Sequence, residues 1–148
     1  MKKETSKNNR LARNFHLTFI PERQYINSLL RFCASGGEGS YQEISKQTGI
    51  PMGKSSGKVP AILNYCIGMG LIVLSKNNKR GSKKPEFTTL GRTIYLNDPF
   101  LKEGVTQWAC HLNLCDPISG ADVWYHCFLQ GVNYLGMSFS NEDLKKYV

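Results

Sequence analysis

Two parts of this 148-residue chain combine residue types that could do chemistry, and the first is the run GIPMGKSS. Its glycines, lysine and serines are the residue types of a phosphate-binding P-loop. Only three residues separate Gly49 from Gly53, whereas the motif requires four, and the run follows a helical pattern where a strand is needed. The run therefore does not predict a nucleotide-binding site.

Cysteines and histidines near the carboxyl end are the second candidate. A zinc site could draw on five of them: Cys110, His111, Cys115, His126 and Cys127. Their spacing is not that of a zinc knuckle, and the cysteines fall on apolar helix faces, which favours core packing. A cysteine nucleophile served by His16 or another histidine is a further interpretation, but no nucleophile motif surrounds any cysteine. We expect no catalytic residue, no metal, no cofactor and no enzymatic activity.

Positive charge is the clearest compositional signal. The net charge is +8 and the pI about 9.3, which favours a polyanionic partner. Residues 41 to 100 contain nine lysines and arginines against three acidic residues, whereas residues 101 to 148 contain three against five. The basic partner surface should therefore lie in the middle of the chain.

The middle of the chain, Tyr41 to Leu71, has the pattern of a helix-turn-helix. Ser40 and Glu43 can form a capping box, and Gly49 suits the end of the first helix. One face of the second helix is apolar and predicted to be buried: Val59, Ile62, Leu63, Cys66, Ile67 and Gly70. The opposite face is predicted to enter a major groove: Lys54, Gly57, Lys58, Ala61, Asn64 and Tyr65.

Flanking patterns extend this unit to a winged helix-turn-helix. The run NFHLTFIPERQYINSLLRF predicts a preceding helix with Pro21 in its first turn. The strand-like runs LIVLSKN and PEFTTLGRTIYL flank the basic loop NNKRGSKK, which predicts a β-wing. The expected fold is mainly α with a small β-wing, a winged helix-turn-helix followed by C-terminal helices.

Two sets of side chains are predicted to contact double-stranded DNA. The helix set is Lys54, Ser55, Ser56, Lys58, Asn64 and Tyr65. The wing set, expected on phosphates, is Lys76, Lys79, Arg80, Lys83 and Lys84. Asn64 is the best candidate for reading a base, because an amide can pair bidentately with adenine.

The rest of the chain is assigned by composition. Residues 1–13 predict a basic flexible arm, residues 14–100 the winged helix-turn-helix domain, and residues 101–148 a helical extension that packs on it or on a partner. Two apolar faces mark the extension: Val105, Trp108, Ala109, Leu112 and Cys115, then Val123, Trp124, Cys127, Phe128, Val132 and Leu135. Trp124, Tyr125 and Phe128 are the predicted protein-binding residues.

Location is inferred from what the sequence lacks. No apolar run approaches the roughly 18 residues of a membrane span, and the start MKKETSKNNR has no signal-peptide apolar segment. We expect a cytoplasmic protein with no membrane partner. The five cysteines are odd in number and should be reduced, buried thiols. The oligomeric state stays open.

Several short motifs in order resemble the N-terminal half of a bacterial family known as domain of unknown function 4007. The matching positions are His16, Phe19 and Arg23, then Gly53 and Lys54, then Leu90, Gly91, Asp98, Pro99 and Trp108. The resemblance covers about residues 14 to 115, and the chain departs from it at Thr18 and Pro60. It implies a winged-helix start and an encoding near DNA phosphorothioation and phage-defence genes.

Two functions follow as expectations. The first is a DNA-binding subunit for recognition or assembly in a bacterial phage-defence or DNA-modification system. The alternative is a protein-interaction module, an adaptor in a larger defence complex, that makes no direct DNA contact.

Overall fold

The computed structural model describes residues 9–53, 57–76 and 80–147. Within these residues the chain is mainly helical with one small antiparallel sheet, as the sequence predicts. The helices are α1 (Arg23–Ala34), α2 (Tyr41–Thr48), α3 (Lys58–Gly68), α4 (Thr89–Asn97), α5 (Gly104–Leu114), α6 (Asp122–Trp124), α7 (Val132–Leu135) and α8 (Asn141–Tyr147). The strands are β1 (Ile72–Leu74) and β2 (Pro85–Phe87), and a π-helical segment, Tyr125–Gln130, follows α6.

Local sequence signals determine the ends of α2. The Ser40 amide donates to the Glu43 carboxylate at 2.6 Å, and the Glu43 amide donates to the Ser40 hydroxyl at 3.3 Å. Both bonds satisfy amides that a helix start otherwise leaves unpaired, so the predicted capping box is confirmed. Gly49 ends the helix with a left-handed φ of 72°, a conformation that glycine adopts without steric cost.

The β1 and β2 strands pair with Ile72 opposite Phe87 and Leu74 opposite Pro85. An antiparallel bridge between Gly39 and Lys83 adds the segment before α2 to the same region. The Lys83 amide donates to the Gly39 carbonyl at 2.8 Å. Lys83, near the end of the loop between β1 and β2, is thereby held beside the start of α2.

The run PEFTTLGRTIYL is a strand only at Pro85–Phe87, so its prediction as one strand-like segment is wrong beyond Phe87. Thr88 caps α4 by accepting a hydrogen bond from the Gly91 amide at 2.9 Å. A Cβ at Gly91 would lie 1.7 Å from the Leu71 carbonyl oxygen. The second part of the run forms a helix because Thr88 can cap it and because Gly91, having no side chain, lets the helix pass close to the backbone of Leu71.

Residues 9–13 contradict the prediction of a flexible basic arm over residues 1–13, whose first eight residues lie outside the described ranges. The Leu11 amide donates to the Gly120 carbonyl at 2.8 Å, and the Asp122 amide donates to the Leu11 carbonyl at 3.0 Å. Arg10 is paired with Asp122 at 3.0 Å. This part of the chain is attached to the C-terminal region instead.

The buried core is continuous along the described chain. One cluster joins Phe15 near the amino end, Leu63 in α3, Ile94 in α4, and Leu114 and Ala121 in and after α5. Pro60 falls in the first turn of α3, where a missing amide costs no hydrogen bond. Among the described helices, none has the length and apolar content required to cross a membrane.

Candidate nucleic-acid interface

Helix α3 does not present the exposed face that the sequence predicts for it. Every residue from Lys58 to Gly68 is buried or half-buried. Ala61 has 0% and Tyr65 3% of its surface exposed, although both were expected on the groove-facing side. The predicted buried stripe is confirmed for Val59, Ile62 and Leu63. The helix therefore packs against other residues both on this side and on the side that was expected to face DNA.

The segment before α1 covers the predicted groove face. The Tyr65 hydroxyl donates to the Phe19 carbonyl at 3.1 Å, and the Tyr65 ring meets the Phe15 ring edge-on at 4.9 Å. Trp124 closes the other side, with its ring centroid 6.2 Å from that of Tyr65. Burial raises the pKa of the Tyr65 phenol. Tyr65 is therefore a core residue.

The polar residues of the same face are also engaged within the chain. The Lys58 amine forms an ion pair with Glu22 at 2.5 Å and lies 4.7 Å from the centre of the Tyr25 ring. The Asn64 amide donates to the Phe15 carbonyl at 3.4 Å, which is longer than the roughly 2.7 to 3.2 Å usual for such bonds and indicates a weak one. The ion pair occupies the Lys58 amine, and the contact with Phe15 uses one N–H of the Asn64 amide.

Four of the predicted DNA-binding residues lie outside the described ranges: Lys54, Ser55, Ser56 and Lys79. The other wing residues lie on or beside the β1–β2 loop, where Lys76 and Arg80 are exposed and Lys83 and Lys84 half-buried.

The cations of the β1–β2 loop that the structure describes have few internal partners. Lys84 lies 3.9 Å from Glu86, and the two side chains are 40% and 48% exposed, so this pair contributes little to stability. Lys83 lies 5.9 Å from the centre of the Tyr41 ring. No ion pair within the described residues involves Lys76 or Arg80. A groove of about 440 Å³ between Arg80 and the start of α2 also carries Glu38 and Glu43.

The three predicted protein-binding residues are not equivalent. Trp124 packs on the core, with its ring 6.0 Å from that of Phe15. Tyr125 is half-buried beneath the Arg10 guanidinium, which lies 4.3 Å from its ring centre. Phe128 alone is exposed, and its ring meets His111 edge-on at 4.8 Å. A docking role therefore fits Phe128 and its neighbours better than Trp124.

Helix α5 turns its predicted apolar stripe outward. Val105, Trp108 and Leu112 are 79%, 66% and 65% exposed. The buried side is instead formed by Thr106, Cys110 and Leu114. The sequence grouped the first three residues correctly but could not show which of two apolar faces meets the core. Gly104 and His111, which flank Trp108, were not recognised as part of this surface.

The cysteines are buried and free. Burial raises the pKa of Cys33 and of Cys110 to about 11, so both are thiols at neutral pH and poor nucleophiles. Cys115 lies 3.7 Å from His111, and burial raises its pKa as well. Across the residues with assigned positions, no group of three or more side chains could hold a metal ion.

Comparisons with models of protein families, with curated proteins and with solved structures find no match for this chain. Function is therefore inferred from the surfaces of the molecule.

Proposed function

We propose that this chain is a winged helix-turn-helix protein that binds the phosphate backbone of double-stranded DNA through its wing, the β1–β2 loop. The element order supports the fold, since three helices precede two strands joined by a basic loop. The main support for DNA binding is that this loop has exposed cations, chiefly Lys76 and Arg80. Neither of these two has an ion-pair partner among the described side chains.

The proposed mode differs from groove recognition by α3. Since Lys58, Asn64 and Tyr65 are engaged within the chain, the proposal assigns them a structural role. Phosphate contacts carry no sequence information directly, so binding through the wing should have little sequence preference.

Salt dependence tests this proposal. Fluorescence anisotropy with a labelled duplex should give an affinity whose logarithm falls linearly with the logarithm of salt concentration. Replacing Lys76 and Arg80 by glutamine should reduce the slope by about two, roughly 0.9 for each lost phosphate contact. The matched control replaces Lys145 and Lys146 by glutamine, which removes the same charge from α8 and should leave the slope unchanged.

Two results would count against wing binding. One is an affinity that does not change with salt, and the other is an equal loss in the two double variants, which would indicate a net-charge effect.

The second candidate is a protein-interaction module without direct DNA contact. The enclosure of α3 supports it, because the helix that would enter a groove has no exposed residue. Failure of the salt experiment would favour this function. For both candidates, a setting in a phage-defence or DNA-modification system depends on the family resemblance alone.

A further inference from the structure

The outward face of α5 is an apolar helix surface with no partner among the described residues. Val105, Trp108 and Leu112 follow each other at intervals of three and four residues, which is the spacing of the contact stripe in paired helices. No charged residue lies within α5, Gly104–Leu114. An exposed stripe of this composition typically marks an interaction site.

A cavity beside this stripe has the form of a knobs-into-holes socket. It is lined by Gly104, Gln107, Trp108 and His111, which are residues i, i+3, i+4 and i+7 of the helix, and Phe128 forms one wall. Four residues at these positions are the socket that receives a side chain from a facing helix. The cavity measures about 470 Å³. A Cβ added at Gly104 would touch nothing within 4 Å, so this corner of the socket is empty.

We propose that this socket receives Trp108 of a second copy of the chain, in a symmetric dimer of antiparallel α5 helices. The socket is centred between Gln107 and His111, at nearly the same height along the helix as Trp108. A twofold axis near Trp108 therefore brings the indole of each copy to the socket of the other. The same register places Val105 of one copy opposite Leu112 of the other. An isologous interface requires this self-complementarity.

Charge at the ends of α5 agrees with the antiparallel register. The twofold axis brings Lys102, before the helix, to the level of Asp116 of the other copy, after the helix. Lys102 is exposed, and two backbone amides together with the Ser119 hydroxyl keep the pKa of Asp116 low, so that Asp116 is a carboxylate at neutral pH. Residues 101–148 carry three lysines and five acidic residues, so the high positive charge of the chain lies away from this face.

The exposed area is sufficient for a weak dimer. The four side chains Val105, Trp108, Leu112 and Phe128 expose on the order of 400 to 500 Å² per copy, given the surface that such residues can bury. Two copies would then bury roughly 800 to 1,000 Å² in total, which is at or just below the smallest specific interfaces and within the range of weak ones. We therefore expect dissociation in the micromolar range.

Analytical ultracentrifugation of the full chain over about 1 to 300 μM tests the dimer, a range that spans micromolar dissociation constants. The apparent mass should rise from 16.7 kDa towards twice that value as concentration increases. Trp108→Ala should weaken association by at least about 30-fold, as expected for a central aromatic anchor. Leu96→Ala is the matched control, because Leu96 is 71% exposed on α4 and should not affect association.

Gly104→Leu separates loss of the dimer from loss of the fold. The new side chain fills the socket, so association should be lost. Leucine is also a better helix former than glycine, so the melting temperature should not fall. A parent chain that stays monomeric at all concentrations overturns the proposal, and binding of a different protein to the same face would then favour the interaction module. A dimer that persists in folded Trp108→Ala and Gly104→Leu variants also overturns it. This test is independent of DNA binding.

Discussion

Tyr65 shows how one side chain can change the interpretation of a helix. Its phenol was expected to face DNA, but its hydroxyl donates to the Phe19 carbonyl and its ring lies between Phe15 and Trp124. A tyrosine in a helix pattern suits either place, because its ring is apolar and its hydroxyl needs only one partner. The deciding contact spans 46 residues of sequence, so local spacing could not reveal it.

Tyr65→Phe tests this assignment directly. The variant keeps the ring packing and removes one hydrogen bond, which should lower the free energy of unfolding by about 1 kcal/mol. Tyr65→Ala also creates a cavity and should cost about 3 to 5 kcal/mol. Urea unfolding followed by circular dichroism measures both. If both variants were as stable as the parent, Tyr65 would have to be exposed.

Asp122 is the residue where pH should affect stability. Partial desolvation alone would raise its pKa, but hydrogen bonds from Arg10 and Arg13 and the nearby His126 lower it below the usual 3.8. A carboxyl whose pKa is lower in the folded state stabilises the fold above its unfolded pKa and loses this contribution as pH falls through the folded pKa.

Asp122→Asn should therefore lower the free energy of unfolding by about 1 to 2 kcal/mol at pH 7. The difference from the parent should shrink as the pH falls below 3.8 and passes through the lowered pKa of Asp122, because protonation then removes the charge from the parent as well. Glu142→Gln, on the exposed first turn of α8, is the control. A difference that stayed constant over this pH range would mean that the carboxylate charge is not the cause.

At the scale of elements, features set by local contacts were predicted well. The capping box of α2 and its glycine end depend on residues within one turn of each other. Three features could not be predicted, namely the cover over α3, the helical part of the run after β2 and the outward face of α5. Each depends on a contact with a distant segment, as when Gly91 passes the Leu71 carbonyl.

The two sides of α3 give a graded prediction. Leu63 is 2% exposed, so Leu63→Ala should lower the free energy of unfolding by about 2 to 5 kcal/mol. Ile67 is half-buried, so Ile67→Ala should lower it by less. Ala61→Ser, harmless if Ala61 faced a groove, should now cost about 1 to 2 kcal/mol for burying a hydroxyl. Thermal melts rank the three variants. A neutral Ala61→Ser with a costly Ile67→Ala would reverse our assignment of the faces.

At the scale of the whole molecule, the proposed boundary at residue 100 crosses a continuous core. Leu101, Cys110, Leu114 and Ala121 belong to the same buried cluster as α1 and α3. Gly68 in α3 lies so near Leu11 and Leu114 that a Cβ there would meet both within 3 Å. The C-terminal region therefore contributes to the fold of the preceding residues.

A chain ending at residue 100 should consequently be destabilised. We expect broad or missing melting transitions and fast amide exchange in α3, because Tyr65 loses Trp124 and Gly68 loses Leu114. Hydrogen exchange with mass spectrometry measures the amide protection of α3 and of α2 separately, and α2 serves as the internal comparison. Unchanged protection of α3 in the shortened chain would mean that residues 14–100 fold alone.

The pairing of Arg10 with Asp122 also sets an order of events during synthesis. The two residues are 112 positions apart, so a ribosome adding about 5 to 20 residues per second makes the second roughly 5 to 20 seconds after the first. Throughout that interval the segment that covers Tyr65 lacks its anchor on the C-terminal region. The nascent chain therefore presents apolar surface until the residues around Asp122 have been made, and binding of a chaperone should be confined to that period.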